Sequence, residues 1–310
     1  MESPLIVSAS RRTDIAAFHS RWFRRRLQAG FCHVLQPYTG RVARVSLAPE
    51  DVSAFVFWTR DPIPLLPEME ALRAAGAGVL VHVTLTGYGP PVESHGPPLR
   101  TALGNFEKLA SRMGPEAALW RYDPIVLSEE LPATAHRSRF ESLAKKLEGM
   151  TRRCTFSFVD FYGKTKRNLG KIEANVGRAF HRPDLAERRA LAQDLAQIAA
   201  RHSIQLLSCC EDALVEGPVG KSHCIDPDAI ARVRILPSPP APFKPTRQDC
   251  GCVQSVDIGA YDTCAFGCAY CYATSSREAA LRRIRGSKAS DTILYRPPSL
   301  AGIDLDSRLS

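Results

Sequence analysis

Tyr261-Asp-Thr-Cys264-Ala-Phe-Gly-Cys268-Ala-Tyr-Cys271-Tyr272 sets three cysteines at CxxxCxxC spacing, with Gly267 free to take a positive φ and an aromatic at Tyr270. Thiolates so placed can occupy three corners of a cubane iron–sulfur cluster and leave the fourth iron without a protein ligand. The competing reading is a zinc knuckle, because close-set thiolates also suit zinc. Zinc sites more often pair two CxxC elements far apart in the chain, so the spacing favours a 4Fe–4S cluster.

A cluster with an open iron can hold the amino and carboxylate groups of S-adenosylmethionine (SAM) and reduce its sulfonium, breaking a C–S bond to make a carbon radical. The spacing resembles that of the radical SAM superfamily, in which the residue before the third cysteine, here Tyr270, lies against the adenine. The longer string GCAYCYA, residues 267–273, resembles the cluster loop of the spore photoproduct lyase-like branch.

Composition bounds the rest. At 310 residues, 45% hydrophobic and 24% charged, the chain has the profile of one globular domain spanning 1–310. No run approaches the ~18 apolar residues of a membrane span, and the N-terminus lacks a secretory pattern. A cytoplasmic protein with no membrane partner is expected. In that compartment the ten cysteines argue for metal ligation over disulfides. Eight of them, from Cys209 onward, fall in the last third, and residues 209–271 form a cysteine-rich segment that includes a proline-rich linker at 237–245. Cys32 and Cys154 stand among apolar neighbours and read as core. The net charge of +9 permits nucleic-acid contact, with basic runs at 24–26, 164–167 and 282–288. No interleaving of aromatic and basic residues supports it, so solvated outer helices are the favoured reading.

Along the chain, apolar runs alternate with amphipathic ones. Strands are expected at Leu5–Ala9, Ala54–Trp58, Gly78–Leu85, Ala118–Arg121, Cys154–Val159, Ile204–Ser208 and Ser255–Ile258. Helices are expected after Thr13 or Asp14 and around Leu65–Leu72, Leu103–Met113, Phe140–Met150 and 183–202, with an extended pair flanking Tyr38–Gly40. Such alternation predicts an α/β fold, a partial or full β/α barrel of radical SAM type. In barrels the chemistry sits at the C-terminal ends of the strands, which here deliver Arg11 and Arg12, Arg60, Thr86, Arg121, Asp123, Asp160 and Glu211. Arg60 or Arg121 could offer the SAM carboxylate a two-point contact. Asp14, Asp123, Asp160 and Glu211 could serve as acids or bases.

The cluster loop comes last, whereas in most radical SAM enzymes it follows the first strand. The chain therefore reads as circularly permuted, with Val256–Ile258 lying beside the strand at Leu5. Ser8–Ile15, Val56–Pro62, Arg121–Pro124, Cys250-Gly-Cys252 and Ser255–Cys264 together resemble the family called domain of unknown function 1848, over nearly the whole chain. Two features depart from the wider superfamily: Arg60 stands where a lysine is expected, and a GGE segment is absent.

Cys209, Cys210, Cys224, Cys250 and Cys252 make a second thiol set, for a second 4Fe–4S cluster or for zinc, and the family resemblance favours Cys209 over Cys210. His223 could replace one cysteine, and His82 reads as a core residue. The expected function is a radical SAM enzyme that makes a 5′-deoxyadenosyl radical and draws electrons from a flavodoxin or ferredoxin. The alternative is a non-catalytic, zinc-binding, nucleic-acid-binding protein.

Overall fold

The computed structural model describes residues 5–177, 179–235 and 241–309. Residues 237–240 of the proline-rich linker thus lie outside the described residues. Eight strands form one sheet: β1 (Leu5–Ala9), β2 (Val52–Thr59), β3 (Gly78–Thr84), β4 (Ala118–Ile125), β5 (Arg153–Phe158), β6 (Gln205–Ser208), β7 (Gly220–Lys221) and β8 (Val256–Asp257). Their order is β7-β6-β5-β4-β3-β2-β1-β8, and every pairing is parallel. The first seven strands follow one another across the sheet, and the last lies beside the first, Val7 opposite Val256 and Ser8 opposite Asp257. This is the adjacency expected for a permuted chain. Edge strands β7 and β8 are not paired with each other, so the sheet is open among the described residues.

The helices are α1 (Ile15–Phe18), α2 (Ser20–Ala29), α3 (Leu66–Ala74), α4 (Leu99–Met113), α5 (Ala133–Leu147), α6 (Gly163–Val176), α7 (Leu185–Arg201), α8 (Pro227–Val233) and α9 (Arg277–Gly286). Asp14, not Thr13, caps α1 by accepting from the N–H of Ala17 at 2.9 Å. The helix expected there is broken at His19 into α1 and α2. Helices α6, α8 and α9 were not legible in the periodicity. In α6, Gly163, Gly170 and four Lys or Arg residues interrupt the apolar stripe, and α8 is only two turns long. Among the described residues no helix is long and apolar enough to cross a membrane.

Strand alternation separates the two faces of the sheet. Phe55, Phe57, Trp120 and Tyr122 point toward the helices: Phe23 of α2 meets Phe55 and Phe57 edge-on, and Phe140 of α5 stacks on Trp120 at 4.7 Å. The opposite face carries Ser8, Trp58, His82, Arg121, Thr155 and Ser157 toward the C-terminal strand ends. A parallel sheet covered on both sides normally reads apolar on both. Here the second face turns polar toward the C-terminal strand ends and is apolar where α8 packs on β3 at Gly78. A Cβ there would come within 3.3 Å of both Ile230 and Ala54.

Asp257 ties β8 to β1. Its carboxylate accepts from Ser8 Oγ (2.6 Å), Ser10 Oγ (2.7 Å), and the N–H groups of Arg11 (2.8 Å) and Gly259 (3.0 Å). The C-terminal segment beyond the CxxxCxxC loop folds back onto the antiparallel pair Phe31–Leu35 and Val42–Ser46. Val42, Ile293, Leu300 and Leu305 form a small core of their own there.

Candidate functional site

The CxxxCxxC loop leaves β8 at the C-terminal edge of the sheet. It is held by backbone rather than by chance packing: Ala269 N–H donates to Val92 O (2.9 Å), Cys271 N–H to Cys268 O (3.1 Å), and the ring of His19 contacts Thr263 O (2.9 Å). Gly267 sits at φ +65°, the turn conformation anticipated for it. All three thiols are half-buried. Burial, reinforced by Asp14 and the neighbouring thiols, pushes Cys264 well above the usual thiol range. Burial likewise lifts Cys268 to about 12, against a lowering by Arg60.

Beside the loop lies a buried polar group drawn from three strand ends and the loop. Arg60, just past β2, donates to both carboxylate oxygens of Glu93 (2.7 and 2.5 Å) and to Tyr270 Oη (2.8 Å), with Cys268 Sγ at 3.9 Å. Tyr270 in turn donates to Glu93, and Thr86 Oγ1 donates to the same carboxylate at 2.7 Å. Arg60 Nε is buried without a hydrogen-bond partner. Asp14 accepts the Arg60 N–H at 2.8 Å, and burial raises its carboxyl to about 7 despite N–H donors from Ala17 and Arg60.

The second thiol set assembles on the polar face from three segments. Cys209 follows β6, and its Sγ lies 3.4 Å from Cys224 Sγ and 3.9 Å from Cys210 Sγ. Cys252, two residues after Cys250, sits beside the Cys224–Ile225 segment. Arg121 Nη1 reaches Cys224 Sγ at 3.4 Å and the Ile225 N–H reaches Cys252 Sγ at 3.3 Å. As they stand, no three of the described His, Cys, Asp or Glu side chains converge on one metal-sized centre. The thiols form a string. Gly251 lets its loop approach closely, since a Cβ there would lie 2.3 Å from the His223 ring.

The domain of unknown function family DUF1848 matches residues 6–273. The chain belongs to the DUF1848 family. No curated protein and no solved structure matches it. The DUF1848 match ends at the CxxxCxxC loop, so Ile293, Leu300 and Leu305 of the small core lie beyond it.

In this DUF1848 chain the residues anticipated from sequence divide between the two centres. Arg60 and Tyr270 join the CxxxCxxC loop. Arg121 does not: its guanidinium is spent on Asp123 and Cys224, which places it with the second set. Of the vicinal pair, Cys209 meets Cys224, whereas Cys210 faces Arg247. His223 contacts Gly251 O instead of standing among the thiols. His82 stacks on Trp58 and contacts Cys224 O at 3.0 Å, its Nδ1 unpartnered. Asp160 pairs with Arg247 and Glu211 with Arg188. Cys32 and Cys154 are fully buried core residues, as read. Glu93 was missed. It follows Pro90-Pro91 in a loop with no periodic pattern, and only its partners from other segments make it a buried carboxylate.

Proposed function

We propose that the protein is a radical SAM enzyme whose Cys264, Cys268 and Cys271 ligate a 4Fe–4S cluster at the mouth of a partial β/α barrel, permuted so that the cluster loop comes last. One observation carries the reading. The three-thiol loop directly follows a strand that lies in register beside β1 in an all-parallel sheet, so it occupies the C-terminal edge where barrel chemistry is found.

The donor set fits such a group. Burial pushes the Cys264 and Cys268 thiols up, so a cationic centre would be needed to ionise them, and Arg60 beside Cys268 already acts in that direction. When bound, the cluster supplies one electron to the sulfonium of SAM, whose C–S bond breaks to a 5′-deoxyadenosyl radical that takes hydrogen from a substrate. Glu93 fixes both Arg60 and the Tyr270 hydroxyl, holding the tyrosine ring where it can lie against an adenine. The unpartnered Arg60 Nε supports a role for Arg60 in receiving the SAM carboxylate. Arg121, committed elsewhere, is not assigned that role. Asp14, with its carboxyl near 7, is suited to hold or release a proton beside the loop. The electron would come from a flavodoxin- or ferredoxin-type donor, and a net charge of +9 favours encounter with an acidic carrier.

The test is iron, sulfide and zinc per chain after anaerobic reconstitution, followed by SAM and dithionite with assay of 5′-deoxyadenosine. About four irons in the loop and SAM cleavage, both lost in Cys268→Ser, are expected. Zinc alone with no cleavage would replace this reading with the non-catalytic, nucleic-acid-binding one.

A further inference from the structure

One sulfur–sulfur contact within the second thiol set bears on which of its two occupants fits. Thiolates on different corners of a cubane point outward from separate irons and cannot touch one another. Thiolates sharing one tetrahedral ion do touch: with metal–sulfur bonds near 2.3 Å, their sulfurs stand about 3.8 Å apart. Cys209 and Cys224 are already in contact at 3.4 Å, and Cys252 Sγ accepts from the N–H of Ile225, the residue after Cys224, at 3.3 Å.

The surroundings match a thiolate-rich single-ion site. Four thiolates around a divalent cation leave a net charge of −2, which needs compensation when buried. Arg121 supplies a cation against Cys224, and the Ile225 N–H donates to Cys252 Sγ. Thr246 Oγ1 lies 3.5 Å from Cys250 Sγ. Such outer partners orient ligating sulfurs and tune their basicity. Cys210 is the fifth thiol: its Sγ lies 3.9 Å from that of Cys209, but its backbone is left-handed at φ +55° and its side chain also meets Arg247.

We propose that Cys209, Cys224, Cys250 and Cys252 form a closed tetrathiolate site for one divalent ion of the zinc class, separate from the CxxxCxxC loop. The site would fasten the segment after β7 across the polar face of the sheet. Its three anchor points follow β6, follow β7, and precede β8 by four residues. Cysteine rotamer changes about these points, not strand movement, would close the string into a tetrahedron. The proposal does not rest on the radical SAM reading, and either can fail alone.

The experiment loads metal-stripped, reduced full-length protein with cobalt(II) as the probe and follows visible absorption, then displaces it with zinc. A tetrahedral tetrathiolate gives intense d–d bands with sulfur charge transfer, saturating at about one cobalt per chain and lost on adding zinc. The bands should persist in the Cys264→Ser/Cys268→Ser/Cys271→Ser variant, which removes the first loop. They should fall by at least tenfold in Cys252→Ser and survive in Cys210→Ser. Iron and sulfide retained at about four per chain in the triple variant would overturn the proposal, as would wild-type protein that takes up no cobalt. Because the wild-type titration needs no variant, misfolding of Cys252→Ser cannot mask the result.

Discussion

Gly259→Ala tests the seam between the last strand and the first. A Cβ at 259 would stand 1.9 Å from Ser10 Oγ and 2.6 Å from Ser10 Cβ, so Ser10 must move. Gly259 does not occupy left-handed backbone, so its replacement acts through this clash and not through φ. Ser10 Oγ donates to Asp257 at 2.7 Å and accepts from the Arg12 N–H at 2.9 Å. Losing a hydrogen bond to a charged acceptor removes about 1.5–3 kcal/mol, and overpacking adds about 1–3 kcal/mol. Urea denaturation should therefore show a loss of about 3–5 kcal/mol. Ser10→Gly alone should lose about 2 kcal/mol and remove the clash, so the double variant should be no less stable than Gly259→Ala alone. Gly104→Ala serves as the opposite control: Gly104 is inside α4 with nothing near its Cβ position, so alanine should stabilise by up to about 1 kcal/mol. A Gly259→Ala loss under about 1 kcal/mol, or strict additivity with Ser10→Gly, would show that β8 does not meet β1 as described.

Three further outcomes are expected. Phe140→Ala, removing a fully buried ring stacked on Trp120 and edge-on to Tyr122, should cost about 3–5 kcal/mol in the same denaturation assay. His136 is buried between Tyr122 and Val126 O, and burial lowers its pKa from 6.5 to about 4. The unfolded chain then binds the extra proton first, so stability is full above pH 6.5 and falls by about 3 kcal/mol toward pH 4. His136→Gln should flatten that part of the stability–pH curve, and an unchanged curve would remove His136 as its source. Arg60→Lys keeps the charge but cannot bridge both oxygens of Glu93 and Tyr270, so it should retain iron while cutting SAM cleavage about tenfold; full activity would exclude the guanidinium from the site.

What the sequence disclosed follows from what each feature depends on. The long strands were legible because Phe55–Phe57 and Val79–Val81 are buried on both sides and read as continuous apolar runs. Strand β8 is two residues long, and only its place before the cysteine loop exposed it. Thiol spacing is local, so the CxxxCxxC loop could be read directly. Arg60 and Arg121 were indistinguishable there, each an arginine at a strand end. They are told apart by partners far away in the chain: Glu93 and Tyr270 for one, Asp123 and Cys224 for the other. Glu93 shows the same limit more sharply. Nothing in Pro-Pro-Val-Glu-Ser marks a buried carboxylate, and its burial is tolerable only because Arg60, Thr86 and Tyr270, from three other segments, all donate to it. A charge of that kind is selected by the assembled face and not by its own neighbourhood. The polar face of the sheet is therefore the level at which this chain's chemistry becomes readable: it brings Arg60 to the CxxxCxxC loop and Arg121 to the second thiol set, so the two can be assayed separately.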